Sequence, residues 1–333
     1  MVLKKTQRRL IFVTEATGNI EKMDLRKARC LGKIKMFKIF SFSFIVMHSC
    51  SLFPTNIVLK DSDETIQNLH VESGPMLMID APPFTVYMIM SSPRETKIWR
   101  HIIREVAHNN GFTLADQQLT KFNVPVIVDK CINFVYIHGS MSEGIYRKSG
   151  SENSILKLMS AFRADAFNVE ITRNEYNEHD VANVLKRFMR DLPERLMGKL
   201  SESFVCVSEI QSSAEKITLY KELLARLSII ERETLKKIVG HLAFISSQKA
   251  KNKMSIQNLT MIWGPTLMQS QQNEEMVYSQ KESDVLCDLI NLYKNLFPLS
   301  VDEIVSKTKD ELGTLLLFNK KNVVIFRKKN KKC

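Results

Sequence analysis

From residue 113 to residue 300 the apolar residues recur every three or four positions, and this spacing constrains the fold more than any other feature of the chain. Val181, Val184, Leu185 and Phe188 form one stripe of a helix running from Glu178 to Leu192, and Pro193 ends it. Cys131, Ile132, Phe134, Val135 and Tyr136 give a helix from Asp129 to His138 a broad apolar face, and Gly139 stops it. Ile155, Leu156, Leu158, Met159 and Phe162 mark the next helix. Further helices are expected at about 214–227, 231–247 and 284–297. Ser255 is placed to cap a short helix that turns Leu259 and Ile262 inward and that Gly264-Pro265 terminates. Six or more helices with no convincing strand predict a single all-α domain over residues 113–300.

Three polar features stand out against that pattern. Glu143-Gly-Ile-Tyr-Arg-Lys-Ser-Gly150 is a short glycine-bounded loop, and Ser149-x-x-Glu152 after it has the form of a capping box opening the next helix. Arg147 then sits two residues before a helix start, able to point into a partner's site, which is the placement needed for an arginine supplied in trans to phosphoryl transfer. Lys186 and Arg190 lie four residues apart on one exposed face, with Arg187 beside them and Ala182 where a compensating acid would stand. Like charges at that spacing repel, so the stripe is either a solvated face or a dock for an anionic partner. Asn258 lies inside the short helix, where asparagine is a mediocre helix former. Its amide is free for a partner, for a neighbouring loop or for local capping.

The formal net charge is +12, which points to an anionic partner: nucleic acid, a phosphoinositide membrane or an acidic protein surface. Part of it lies in tails, at Lys4, Lys5, Arg8 and Arg9 and again over 320–332. No basic run is interleaved with aromatics in a nucleic-acid module, so no nucleic-acid partner is expected. The six cysteines contain no Cys-x-x-Cys pair and no histidine at zinc-ligand spacing, so reduced thiols, a cytoplasmic setting and neither metal nor cofactor are expected. Gly139-Ser-Met-Ser-Glu-Gly144 has the glycine spacing of a P-loop, but Ile145-Tyr146 stands where Lys-Ser/Thr is required. There is no Gly-x-Ser-x-Gly elbow. The charged N-terminus does not have the shape of a signal peptide.

Before residue 113 the pattern changes. Arg9 to Thr14 and Ile20 to Leu25 read as strands around a turn at 16–19, and Phe84 to Met90 as another. Residues 36–53 are the most apolar window. Lys38 and His48 interrupt it, and it barely reaches the ~20 residues of a membrane span, so a strand or an irregular insertion is expected. After Pro93, Glu95 to His108 forms an amphipathic helix with Trp99, Ile102, Ile103 and Val106 on one stripe. Strands followed by one tryptophan-bearing helix resemble the C-terminal part of a pleckstrin-homology (PH) domain. Residues 1–112 are thus expected to be a partial α+β PH-like segment, a β-sandwich with its C-terminal helix, from which the early strands are missing. Residues 301–333 are expected to form a basic tail with a helix at 301–317, able to make a weak contact with a phosphoinositide membrane.

Glu143 to Gly150, Leu185-Lys-Arg-Phe-Met-Arg-Asp-Leu-Pro-Glu194, and Asn252-Lys-Met through Asn258-Leu to Gly264-Pro265 resemble, in order and separation, the three signature blocks of a Rho GTPase-activating (RhoGAP) domain. Within that family the chain looks most like the dual Arf/Rho GTPase-activating proteins with ankyrin repeats and PH domains, as a fragment or short form. The resemblance implies that Arg147 is the arginine finger, that Lys186 and Arg190 are the basic pair supporting finger and interface, and that Asn258 contacts the GTPase near its switch regions. It implies a Rho-family small GTPase in its GTP-bound form as partner, in the cytoplasm or recruited to membrane. The alternative is a catalytically weak or inactive module that holds the GTPase as a scaffold. Arg195 stands where the family usually has a second proline, Thr260 where it has alanine, and Trp263 where it has phenylalanine.

Overall fold

The computed structural model describes residues 2–4, 8–13, 20–28, 30–34, 44–48, 76–81, 84–88, 93–108, 111–268 and 280–298. The expected turn at 16–19, most of the apolar window at 36–53, and the tail with its helix lie outside them.

The N-terminal part contains more strands than the sequence pattern placed. β1 (Val2–Lys4), β2 (Arg9–Val13) and β3 (Ile20–Asp24) form an antiparallel meander. β4 (Cys30–Ile34), β5 (Phe44–His48), β6 (Met76–Ala81) and β7 (Phe84–Met88) form a second antiparallel sheet in the order β4-β6-β7-β5. α1 (Pro93–His108) follows. Its Ile103, Val106 and Ala107 pack with Leu10, Met23, Leu25 and Ile79 into a small core, against which Trp99 rests. Period-two patterning finds a strand only where one face is apolar, and Cys30–Ile34 carries Gly and Lys at its centre.

The remainder is helical: α2 (Val126–Phe134), α3 (Glu152–Asp165), α4 (Glu178–Arg190), α5 (Ser201–Ser208), α6 (Ser213–Arg226), α7 (Ile229–Ser247), α8 (Lys249–Asn252), α9 (Ile256–Met268), α10 (Gln280–Asn291) and α11 (Tyr293–Leu296). One contiguous apolar core joins them. The expected stripe on α4 is buried, with Val181, Val184 and Leu185 fully enclosed. α4 is also well started. The Asn177 side chain accepts from the Asp180 N–H at 2.8 Å, while Asp180 accepts from the Asn177 N–H at 3.1 Å. α2 starts three residues earlier than expected, at Val126, and its end is a π-turn over Val135–Gly139.

Two expectations about helix ends are corrected. The capping box at Ser149 does not form. α3 begins at Glu152 with Ser151 as its cap residue, and the Ser151 N–H is taken at 2.7 Å by the Asp180 carboxylate of α4. Glu152, freed from reaching back, pairs with Arg187. Gly264-Pro265 does not terminate α9 either, which runs on to Met268. Proline removes one backbone donor, but Trp263, Thr266, Leu267 and Met268 are all buried, and that burial outweighs it. Gly264 instead allows a close approach: a Cβ there would lie 3.1 Å from the backbone of Glu282 on α10. Among the described residues no helix is long and apolar enough to cross a membrane.

Candidate functional site

The loop between the π-turn and α3 has two residues in the left-handed region, Gly144 at φ 71° and Tyr146 at φ 69°. Glycine adopts that conformation freely. For tyrosine it costs ~1–2 kcal/mol, so the surroundings must hold it. They do so from several elements. The Tyr146 ring is fully buried, edge-on to Trp263 of α9 at 5.2 Å between centroids. Its hydroxyl lies 2.6 Å from His241 Nε2 of α7. Its carbonyl accepts from Lys186 Nζ of α4 at 2.6 Å. On either side, the Gly144 N–H donates to the Asn252 carbonyl at 2.8 Å and the Lys148 carbonyl accepts from Asn183 Nδ2 at 3.0 Å. Gly150 lies so close to α4 that a Cβ would sit 2.7 Å from Asp180 Cα.

Arg147 follows the buried tyrosine and is exposed. Its side chain has no hydrogen bond or ion pair among the described residues. Its own N–H donates back to the Gly144 carbonyl at 2.8 Å, so the backbone is fixed while the guanidinium is left to solvent. The expected exposed arginine on a pinned loop is therefore present, and the pinning comes from α4, α7 and the α8–α9 junction rather than from a cap at Ser149.

Next to the loop opens a groove of about 720 Å³ whose walls include Lys186, Arg187, Arg190, Arg195, Met261 and Pro265. The reading of Lys186 and Arg190 as one exposed, uncompensated stripe needs correction. Arg190 is exposed, but Lys186 is half-buried with its ammonium on the Tyr146 carbonyl. Burial, and after it the charge of Arg190, holds that ammonium below the usual lysine range. The compensating acids come from elsewhere: Arg187 pairs with Glu152 of α3, and Asp191 lies 3.5 Å from both Arg187 and Arg190. Arg195 faces the same groove, and burial followed by Arg190 lowers its pKa. The cluster is thus a set of cations partly dried and crowded together, a surface that favours an incoming anion.

Asn258 lies outside the groove lining. Its N–H is capped by Ser255 Oγ at 3.2 Å, and its amide donates to the carbonyl of Lys253 at 3.2 Å. Lys253 has φ 60°, so Asn258 supports a left-handed turn. The structure therefore joins Arg147, Lys186 and Arg190 around one loop and groove, with Asn258 one step removed. Sequence reasoning missed Asn252, whose fully buried amide donates to the Ser140 and Ile245 carbonyls and accepts from the Met254 N–H, all at 2.8 Å. It also missed His241, which is 95 residues from the tyrosine it meets.

The RhoGAP domain family matches residues 125–272, a span that holds the loop, the groove and both corrected helix ends. The chain carries a RhoGAP domain. Over that domain it is homologous to the Arf-GAP with Rho-GAP domain, ANK repeat and PH domain-containing proteins. It is 31% identical over 225 residues to protein 3 of that group from Homo sapiens, covering 66% of this chain and 14% of the relative. To protein 2 from Mus musculus it is 30% identical over 234 residues, 70% of this chain and 13% of the relative. The chain thus spans about one seventh of the length of these curated relatives. Among solved structures it is similar to human Rho GTPase activating protein 15, with a TM-score of 0.49, 27% identity, and coverage of 59% of this chain and 97% of that one.

Proposed function

We propose that this chain is a GTPase-activating protein for a Rho-family small GTPase in its GTP-bound form, and that Arg147 is the finger it supplies in trans. The observation that carries this reading is the contrast at residues 146 and 147: a buried, multiply held tyrosine followed by an exposed arginine whose side chain has no partner among the described residues. An arginine so placed has its backbone ordered before it meets the γ-phosphate and leaves only its side chain to order, and such a finger is worth roughly 10³- to 10⁵-fold in rate. Lys186 braces the finger loop, Arg190 faces the GTPase from the groove, and Asn258 stiffens the turn beside it. On the same reading the protein works in the cytoplasm and makes a weak contact with the membrane through its basic tail.

Single-turnover GTP hydrolysis by a panel of Rho-family GTPases tests this. The wild-type chain should accelerate hydrolysis, and Arg147→Ala should abolish the acceleration while binding to the GTP-loaded form survives. Binding without acceleration by the wild type would leave the scaffold reading in its place.

A further inference from the structure

The pair Tyr146–His241 has a geometry that core packing alone does not require. Both side chains are buried, their rings meet edge-on at 5.8 Å, and one short hydrogen bond of 2.6 Å joins them. Among the described residues His241 Nδ1 has no partner, so there the bond to the tyrosine is the one polar anchor of that imidazole. The tyrosine in turn stands in the left-handed region immediately before Arg147. A rotation about the Tyr146 backbone would swing the arginine, since the two share a peptide plane. The carbonyl of Tyr146 is held by Lys186 and its far end by His241, so the residue is gripped at both ends of its length.

We propose that His241 is a positioning residue for the arginine finger, acting through the hydroxyl of Tyr146. His241 touches no substrate; it fixes the angle from which Arg147 leaves the loop. The inference rests on the GTPase-activating reading above. Its consequence is a division of labour: groove contacts set how tightly the GTPase is held, and the histidine–tyrosine bond sets how fast the held complex turns over. Misplacement of a catalytic group by about 1 Å costs on the order of 10²-fold, so the loss of one of several restraints should cost about tenfold.

The test compares Tyr146→Phe, His241→Leu and His241→Gln in the full chain. For each, the dissociation constant for the GTPase loaded with a non-hydrolysable GTP analogue is measured beside the single-turnover rate at saturation. Tyr146→Phe and His241→Leu should lower the saturated rate about tenfold and leave the dissociation constant within about twofold. His241→Gln, whose amide can still meet the tyrosine hydroxyl, should recover much of the rate. Tyr220→Phe is the control. It removes a hydroxyl bond of 2.9 Å to Asp288 elsewhere in the domain, and should lower the melting temperature without touching the saturated rate. If Tyr146→Phe turns over as fast as wild type, the positioning role is wrong and the GTPase-activating reading stands. The positioning role is equally wrong if rate and affinity fall together in step with melting temperature. If the wild type accelerates no GTPase, both fall.

Discussion

Replacing Asn252 by alanine should destabilise the helical domain by about 2–6 kcal/mol, although the residue has no face to solvent and no place in the groove. The magnitude follows from what its amide leaves behind. Three buried backbone groups lose a bond of 2.8 Å. One of them, the Ile245 carbonyl, keeps the Gln248 N–H at 3.1 Å, so its loss is small. The Ser140 carbonyl and the Met254 N–H lose their side-chain partner in a dry interior, at ~1–3 kcal/mol each. For a domain of this size each kcal/mol moves the melting temperature by about 2–4 °C, which gives a fall of roughly 10 °C in a calorimetric or fluorescence melt. Asn252→Asp should fare at least as badly. It keeps an acceptor for Met254 but sets an unpaired carboxylate against two carbonyl oxygens, and a buried unpaired charge is costly. A loss below 1 kcal/mol for alanine, or near-wild-type stability for aspartate, would refute the claim that this amide ties the loop base to α8 and α9.

Four further outcomes are expected. Arg147→Ala should remove roughly 10³-fold or more of GTPase acceleration in single-turnover assays with the melting temperature unchanged, since among the described residues the side chain has no hydrogen-bond or ion-pair partner to leave behind. Lys186→Met should slow the saturated rate about tenfold and lower stability in urea titration by less than the ~1–3 kcal/mol of an orphaned buried carbonyl, because the Tyr146 carbonyl loses its donor while burial already disfavours the ammonium removed. Gly150→Ala should cost about 1–3 kcal/mol, since its Cβ would press on the backbone of Asp180 at 2.7 Å; a neutral result in a melt would contradict the close approach. Burial, and after it Lys237, pushes the His241 imidazole down to about 3 from its ordinary 6.5. Between those values the unfolded chain binds the extra proton, so this contribution is complete above pH 6.5. It is lost as pH falls toward 3, at up to ~1.4 kcal/mol per unit. Denaturant titrations at pH 7.5 and 5 should show a smaller difference for His241→Gln than for wild type.

The parts of this architecture that were legible in the sequence share a cause: they are local. Val181, Val184, Leu185 and Phe188 needed only their spacing within one helix. The misjudged parts depend on distant segments. Ser149 looked like a cap because Glu152 is three residues on, but Asp180 of another helix supplies the acceptor and Arg187 claims the glutamate. Pro265 reads as a stop until the burial of Trp263 and Leu267 is known. Lys186 and Arg190 fall on one face by arithmetic, yet only a carbonyl contributed from residue 146 decides that one is half-buried and held while the other stays exposed beside Asp191. For Asn252 the only signal was its place at the head of a block already singled out, with no local reason for a buried amide.

The clamp on the arginine loop has a consequence for how this domain can be cut down. Residues that hold the loop come from positions 183, 186, 241 and 252, so the orientation of residue 147 is completed only by chain that follows it by about a hundred residues. A peptide bearing the loop alone would have the guanidinium and none of its aim. Any truncation ending before Asn252 removes a restraint that no earlier segment replaces. The smallest unit able to present this arginine is therefore close to the whole helical domain, and shortening it from the C-terminal side would undo the aim of residue 147 long before the cut reached the loop itself.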